Sequence, residues 1–336
     1  MNVAGFFQAA GFSLRQIGSL FGFNTNGLSA GGLSAGGFSA GGLSTSGLAG
    51  NSQLNLAQPG GDTAAGVYLI GAGPGDAELL TRKGERVLRA ADVVLYDNLV
   101  SAGVLALCRR SCQRIYVGKR AGLHAMAQSQ INQLLVEYGQ HSVSAGKVVV
   151  RLKGGDPAIF GRVSEEAAAL TQAGLPFAIV PGITSASAAC AYSGIALTAR
   201  GQAASVQFLT AQFADPSRQP DFTQYQYQSG QNPTLVVYMG LNRLNELCLG
   251  LLNVGWPGAM PVALLDQLSS DTQQQLTGSL ADICARYACH QQGPNPLLGP
   301  TLIVIGTVVS SPMAVNRSLL RPLQQVRAGR FSPNSN

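Results

Sequence analysis

The sequence predicts an α/β protein of two α/β lobes with a ligand cleft between them, preceded by a disordered Gly/Ser-rich N-terminal extension. Three observations carry this. Five short β-rich apolar runs alternate with helical stretches between Val67 and Val180. A second set of such runs follows Arg200. The opening segment has a different composition, with Arg15 the only charged residue before Asp62. The expected organisation is a flexible extension over 1–62, an N-terminal lobe over 63–200, a C-terminal lobe over 201–312 and a basic tail over 313–336.

The extension repeats GLSAG, GLSAG, GFSAG from Gly27 to Gly41. A five-residue period matches neither helix nor strand, and Gly/Ser content makes ordering costly. The apolar stretch before it, Ala4–Phe23, is able to form a transient helix. In the first lobe the strand candidates are residues 67–70, 93–96, 114–117, 147–150 and 177–180, separated by helices such as Ala77–Ala90 and Glu165–Ala173. Such alternation implies a parallel sheet with covered faces. In the second lobe they are 205–210, 234–239, 261–265, 274–278 and 301–306, with helices at Leu241–Leu252 and Ser279–Ala288. The polar, Pro/Gln/Tyr-rich region Asp215–Gln231 reads as a surface loop. The lobes meet near Thr198–Ala203, which places a cleft at the carboxyl ends of strands.

Composition narrows the function classes. No apolar run is long enough to span a bilayer, so no membrane partner is expected. The N-terminus has no basic cluster followed by an apolar core and cleavage site, which argues against a secretory signal. The net charge of +6 is uneven, with 14 Lys/Arg against 9 Asp/Glu over 67–200 and 3 against 6 over 201–312. A basic first lobe points to an anionic ligand. Nucleic acid is not expected, because no Lys/Arg stripe with interleaved aromatics is present. The spacings of Cys108, Cys112, Cys284, Cys289 and His290 match no zinc pattern. No metal is expected, and reduced thiols fit a cytoplasmic protein.

Several motifs fall at predicted strand ends. GAGPGD (Gly71–Asp76) lets backbone approach a ligand closely, but its G-x-G-x-G spacing with Pro74 inside departs from the dinucleotide fingerprint. Asp97 ends the second strand, where it either faces the cleft or caps the next helix. Lys119 and Arg120 end the third strand and suit carboxylates, or form a solvated basic loop. RLKGGDPAIFGR (Arg151–Arg162) follows the apolar run Val148–Val150. Gly154 and Gly155 expose backbone, Asp156 adds a carboxylate and Pro157 fixes the turn. This suits a ligand with a cationic amino-acid part and a ribose better than one with phosphates, which Asp156 would repel. PGITSASAA (Pro181–Ala189) adds Thr184 and Ser185, as ligand donors or as caps.

Together VYLIGAGPGD, ADVVLYDNLVS, YVGKRAGLH, VVRLKGGDPAIFGR, PFAIVPGITSASAACAYSGIALTAR, TLVVYMGL and TLIVIGTVV resemble the uroporphyrinogen-III C-methylating branch of the tetrapyrrole methylase family, over about residues 67–312. The resemblance implies S-adenosyl-L-methionine as a consumed methyl donor and uroporphyrinogen III as acceptor. Methylation at C2 and C7 gives precorrin-2, for sirohaem or cobalamin biosynthesis. It further implies a cytoplasmic homodimer. By resemblance Pro74, Gly154, Gly155, Asp156, Ile159, Thr184, Ser185 and Met239 line the donor pocket. Asp97 would be the proton acceptor and Lys119 the proton donor.

The chain departs from the family pattern at Val163, Ser164, Ala199, Ala211, Gln212 and Leu268. Two other functions therefore stay open. One is a methyltransferase of the same fold acting on a corrin precursor, RNA or protein. The other is a non-catalytic donor-binding protein.

Overall fold

Short runs of Val, Leu and Ile, separated by turns and capped helices, build two five-stranded sheets. The structure, a computed structural model, describes residues 63–118, 126–211, 221–230 and 232–320, all within one compact unit. The expected extension over 1–62 and the tail beyond Leu320 lie outside the described residues.

The first sheet contains β1 (Gly66–Gly71), β2 (Val93–Tyr96), β3 (Gln113–Tyr116), β4 (Val148–Lys153) and β5 (Phe177–Val180). Its order is β3-β2-β4-β1-β5, and every pair is parallel. Helices α1 (Arg82–Ala90), α2 (Ala102–Leu105), α3 (Gln128–Val143) and α4 (Val163–Gln172) lie on the connections. Leu135 of α3 and Leu170 of α4 cover Leu69, Leu95 and Val149 on one face. Val87 and Leu88 of α1 cover Ile70, Val94 and Val150 on the other. The single helix expected over Ala77–Ala90 is two segments. Asp76 caps a 3₁₀ turn, Ala77–Leu79, and Thr81 caps α1 by accepting from the Gly84 N–H at 3.1 Å. Each cap starts its own segment, with extended backbone between them.

After α5 (Ser185–Ser193), the second sheet takes β6 (Val206–Thr210), β7 (Thr234–Tyr238), β8 (Pro261–Asp266), β9 (Gln274–Ser279) and β10 (Thr301–Ile305) in the order β6-β7-β10-β8-β9. Only β6 and β7 pair in parallel, and the other pairs are antiparallel. Leu247 and Leu251 of α6 (Leu244–Asn253) pack on Leu235, Val262 and Ile303. Ala186 and Ala189 of α5 pack on the opposite face, against Val236, Leu265 and Val304. Ser279 closes β9, so α7 begins later than expected, at Ile283 (Ile283–Gln291). The described part of the Gln/Tyr-rich segment is a mostly exposed loop that is tied to the second lobe. Phe222, Tyr225 and Tyr227 pack on the second core, and Trp256 Nε1 donates to the Tyr225 carbonyl at 2.7 Å. Tyrosine rings bury well while their hydroxyls reach water.

Asp266, fully buried at the end of β8, fixes the segment that leads into β10. Its carboxylate accepts from the Gly299 N–H at 2.8 Å, from the Leu298 N–H at 3.2 Å and from the Thr301 hydroxyl. Asp266→Ala leaves the part-buried donors of Leu298, Gly299 and Thr301 without their acceptor. It should lower stability by about 1.5–3 kcal/mol, the range for hydrogen bonds to a charged group, measured by denaturant unfolding.

Candidate active site

A cleft of about 620 Å³ opens where the carboxyl ends of β1, β2 and β4 face the ends of β7 and β8 and the segment before β10. That volume suits a small-molecule ligand. Backbone bonds join the turns at its base. The Gly73 N–H donates to the Gly155 carbonyl at 3.2 Å, and the Gly155 N–H returns a bond to Gly73 at 2.7 Å. Asp156 ties in a third turn. Its Oδ2 accepts from the Gly182 N–H at 2.9 Å and its Oδ1 from the Ala158 N–H at 2.8 Å.

The two glycines do different work. A Cβ at Gly154 would lie 2.4 Å from the Leu99 Cβ, so this position is closed by packing. Gly155 has φ +68°, and a Cβ there would meet only the Thr184 Cα, at 3.9 Å. Its constraint is conformational, since β-branched residues rarely adopt positive φ.

Strand β4 does not stop at Val150, where the apolar run ends. It continues through Arg151 and Lys153, both 4% exposed. Glu166 on α4, fully buried, permits this. Its carboxylate accepts from Arg151 Nε at 3.0 Å and from Lys153 Nζ at 2.8 Å on both oxygens. Gln128 Nε2 donates to the same group at 3.2 Å. Arg151 Nη2 reaches Asp97 Oδ2 at 3.3 Å, and the Leu99 N–H donates to Asp97 Oδ1 at 3.1 Å. Burial and then the Arg151 charge pull the Lys153 pKa below that of an ordinary lysine, against the pull of Glu166.

On the opposite wall, the Tyr238 hydroxyl bonds to Thr184 Oγ1 at 2.6 Å and accepts from the Ala186 N–H at 3.2 Å. Burial pushes the phenol above its usual pKa, while these bonds oppose the shift. Phe160 tilts over the Tyr238 ring with centroids 5.1 Å apart. Met239 follows with φ +55° and an exposed side chain. Thr184 occupies the N-cap position of α5 but makes no capping bond, and the Ala186 N–H of the first turn goes to the Tyr238 hydroxyl instead.

Pro74, Gly154, Gly155, Asp156, Ile159, Thr184, Ser185 and Met239 all line this one cleft, and Asp97 lines it with them. Lys119, Arg120 and His124 lie outside the described residues. Leu268 is buried and lines the cleft. Ala199 pairs with Ala203 in a tight turn, and Ala211 is buried in the second core. Sequence reasoning missed Gln128, Glu166, Tyr238 and the pairing of Arg151 with Lys153. The available signal was two cations at i and i+2 on a strand, which share a face. The cleft cations Arg151, Lys153 and Arg162 each hold an acidic partner. Among the described residues no cluster of His, Cys, Asp and Glu could hold a metal ion, and no helix is long and apolar enough to cross a membrane.

Residues 66–284 match the family model for Tetrapyrrole (Corrin/Porphyrin) Methylases, and the chain belongs to that family. A siroheme synthase of Psychrobacter sp. (strain PRwf-1) is 46% identical over 258 residues, covering 77% of this chain and 50% of that protein. One from Acinetobacter baylyi is 48% identical over 244 residues, covering 73% and 51%. The chain therefore spans about half the length of these curated relatives. Among solved structures, a uroporphyrin-III C-methyl transferase from Thermus thermophilus complexed with S-adenyl homocysteine is 36% identical, with a TM-score of 0.60. The match covers 73% of this chain and 98% of that one. A cobalt precorrin-4 methyltransferase is 26% identical with a TM-score of 0.59, covering 72% and 95%.

The Tyr238 hydroxyl joins the first turn of α5 to the end of β7. Tyr238→Phe should therefore lower stability by about 0.5–1.5 kcal/mol, read from the unfolding midpoint at constant m-value.

Proposed function

We propose that this chain transfers methyl groups from S-adenosyl-L-methionine to C2 and C7 of uroporphyrinogen III, giving precorrin-2 for sirohaem or cobalamin biosynthesis. The observation that carries the reading is the cleft. Nine of the ten residues that the family resemblance nominates meet there, in a chain that covers 98% of a uroporphyrin-III C-methyl transferase bound to S-adenyl homocysteine.

The residues present fit such a donor. The space beside Gly155 admits a ligand against bare backbone, and Asp156 disfavours a phosphate there. Pro74, Gly154, Gly155, Asp156, Ile159, Thr184, Ser185 and Met239 would hold it, with Met239 offering a soft apolar surface. Bound there, the donor supplies an electrophilic methyl on a sulfonium that is already a good leaving group. The protein's task is to align that methyl with an electron-rich pyrrole carbon. Asp97 then accepts the proton that leaves the methylated macrocycle, and the resemblance alone assigns Lys119 as a proton donor. In this reading the protein works in the cytoplasm as a homodimer.

Turnover separates this function from its alternatives. The purified chain, labelled donor and uroporphyrinogen III should give a product with the absorbance of a dimethylated macrocycle. Donor binding without turnover favours a same-fold enzyme for a corrin precursor, RNA or protein, or a non-catalytic binder. Asp97→Ala should lose most of its turnover and leave donor affinity intact, and wild-type turnover in it overturns the assignment of Asp97. Gly155→Val places a β-branched side chain at positive φ and fills the open space. Donor affinity should fall at least about tenfold, or roughly 1.4 kcal/mol, by calorimetry.

A further inference from the structure

Asp97 stands on the cleft wall with its side chain 21% exposed, and two donors fix its plane. The Leu99 N–H holds Oδ1 and Arg151 Nη2 holds Oδ2. The first bond is local to the turn. The second comes from the middle strand of the sheet and sets the carboxylate against a rigid element. Arg151 has little freedom of its own. Its Nη1 donates to the Leu152 carbonyl at 2.8 Å and reaches that of Leu95 at 3.5 Å, and its Nε is taken by Glu166. Glu166 is in turn locked by Lys153 and Gln128. A planar guanidinium with its donors occupied on several sides is a fixed fork.

We infer that Arg151 is a positioning residue for methyl transfer, orienting the Asp97 carboxylate toward the reacting macrocycle, and that buried Glu166 holds Arg151 in place. This rests on the proposed role of Asp97 as proton acceptor. Glu166 does not line the cleft, so it reaches the site through the residues it holds, Arg151, Lys153 and Gln128. The cluster holds two cations and two anions and is neutral, so Arg151 is spent on Asp97 rather than left to attract an acidic acceptor. A misdirected carboxylate loses rate without losing ligand, because positioning acts on the transition state.

A double-mutant cycle tests this, using Asp97→Asn, Arg151→Gln and the double variant. Turnover of labelled donor with uroporphyrinogen III is measured beside calorimetric affinity for S-adenosylhomocysteine. Arg151→Gln should lower kcat at least about tenfold, with acceptor KM and donor affinity within about twofold. In the Asp97→Asn background the same change should cost less than about twofold. Arg151→Lys, which keeps the charge but not the fork, should recover part of the rate, and it replaces Arg151→Gln in the cycle if that variant does not fold. Equal losses in both backgrounds overturn the inference alone. A raised acceptor KM at unchanged kcat overturns it in favour of Arg151 as a binding group for the acceptor. Full turnover by Asp97→Asn overturns the proton-acceptor reading, and this inference with it.

Discussion

A carboxylate without solvent access, Glu166, bridges two cations at the cleft end of the middle strand of the first sheet, and Asp97 supplies the second negative charge. Much of the site depends on that contact. Moving a charge out of water costs several kcal/mol even after the surroundings relax. Arg151 and Lys153 could not both stay inside a parallel sheet without a partner. With Glu166 between them, β4 runs on past its apolar run and delivers Gly154, Gly155 and Asp156 to the cleft. Breaking such a buried set from one side costs about 3–5 kcal/mol. The loop is thus held by the strand behind it.

The same economy of partners recurs around the cleft. Asp156 satisfies backbone donors from its own turn and from Gly182, and Asp266 does so for the segment before β10. Gly73 and Gly155 exchange bonds across two turns. Irregular backbone carries donors that must be met once water is excluded. Here carboxylates and neighbouring turns meet them. The cleft walls are consequently held by the protein's own groups, which suits the proposed methyl transfer, where alignment is the main task.

The two sheets contribute unequally. The first supplies the charged cluster, the glycine turns and Asp97. The second supplies Tyr238, Met239 and Leu268, with the loop closed by Asp266. Helix α5 links them, because its N-terminal residues line the cleft while Ala186 and Ala189 pack under the second sheet. The tie from Tyr238 to Thr184 and Ala186 crosses this junction. Small residues on α5 permit close approach to β7, which explains why a stretch as bland as SASAA sits beside the site.

The sequence by itself determined most strand positions, the glycine turns and nine of the residues that line the cleft. Short β-branched runs, Gly/Pro punctuation and the order of the motifs are local signals, and strand ends in α/β sheets point toward ligands. It did not reveal that β4 continues through Arg151 and Lys153, since a lone charged residue after an apolar run reads as a strand end. Nor did it reveal that the second sheet is mostly antiparallel, since element order fixes neither strand direction nor neighbour. The roles of Glu166 and Tyr238 were equally hidden. Glu166 looks like any acid in the first turn of a helix, and only the sheet behind it makes it a counterion. Tertiary structure decided these because burial and partnership are properties of residues far apart in the chain. Tyr238 meets Thr184 across 54 residues, and Arg151 meets Asp97 across 54.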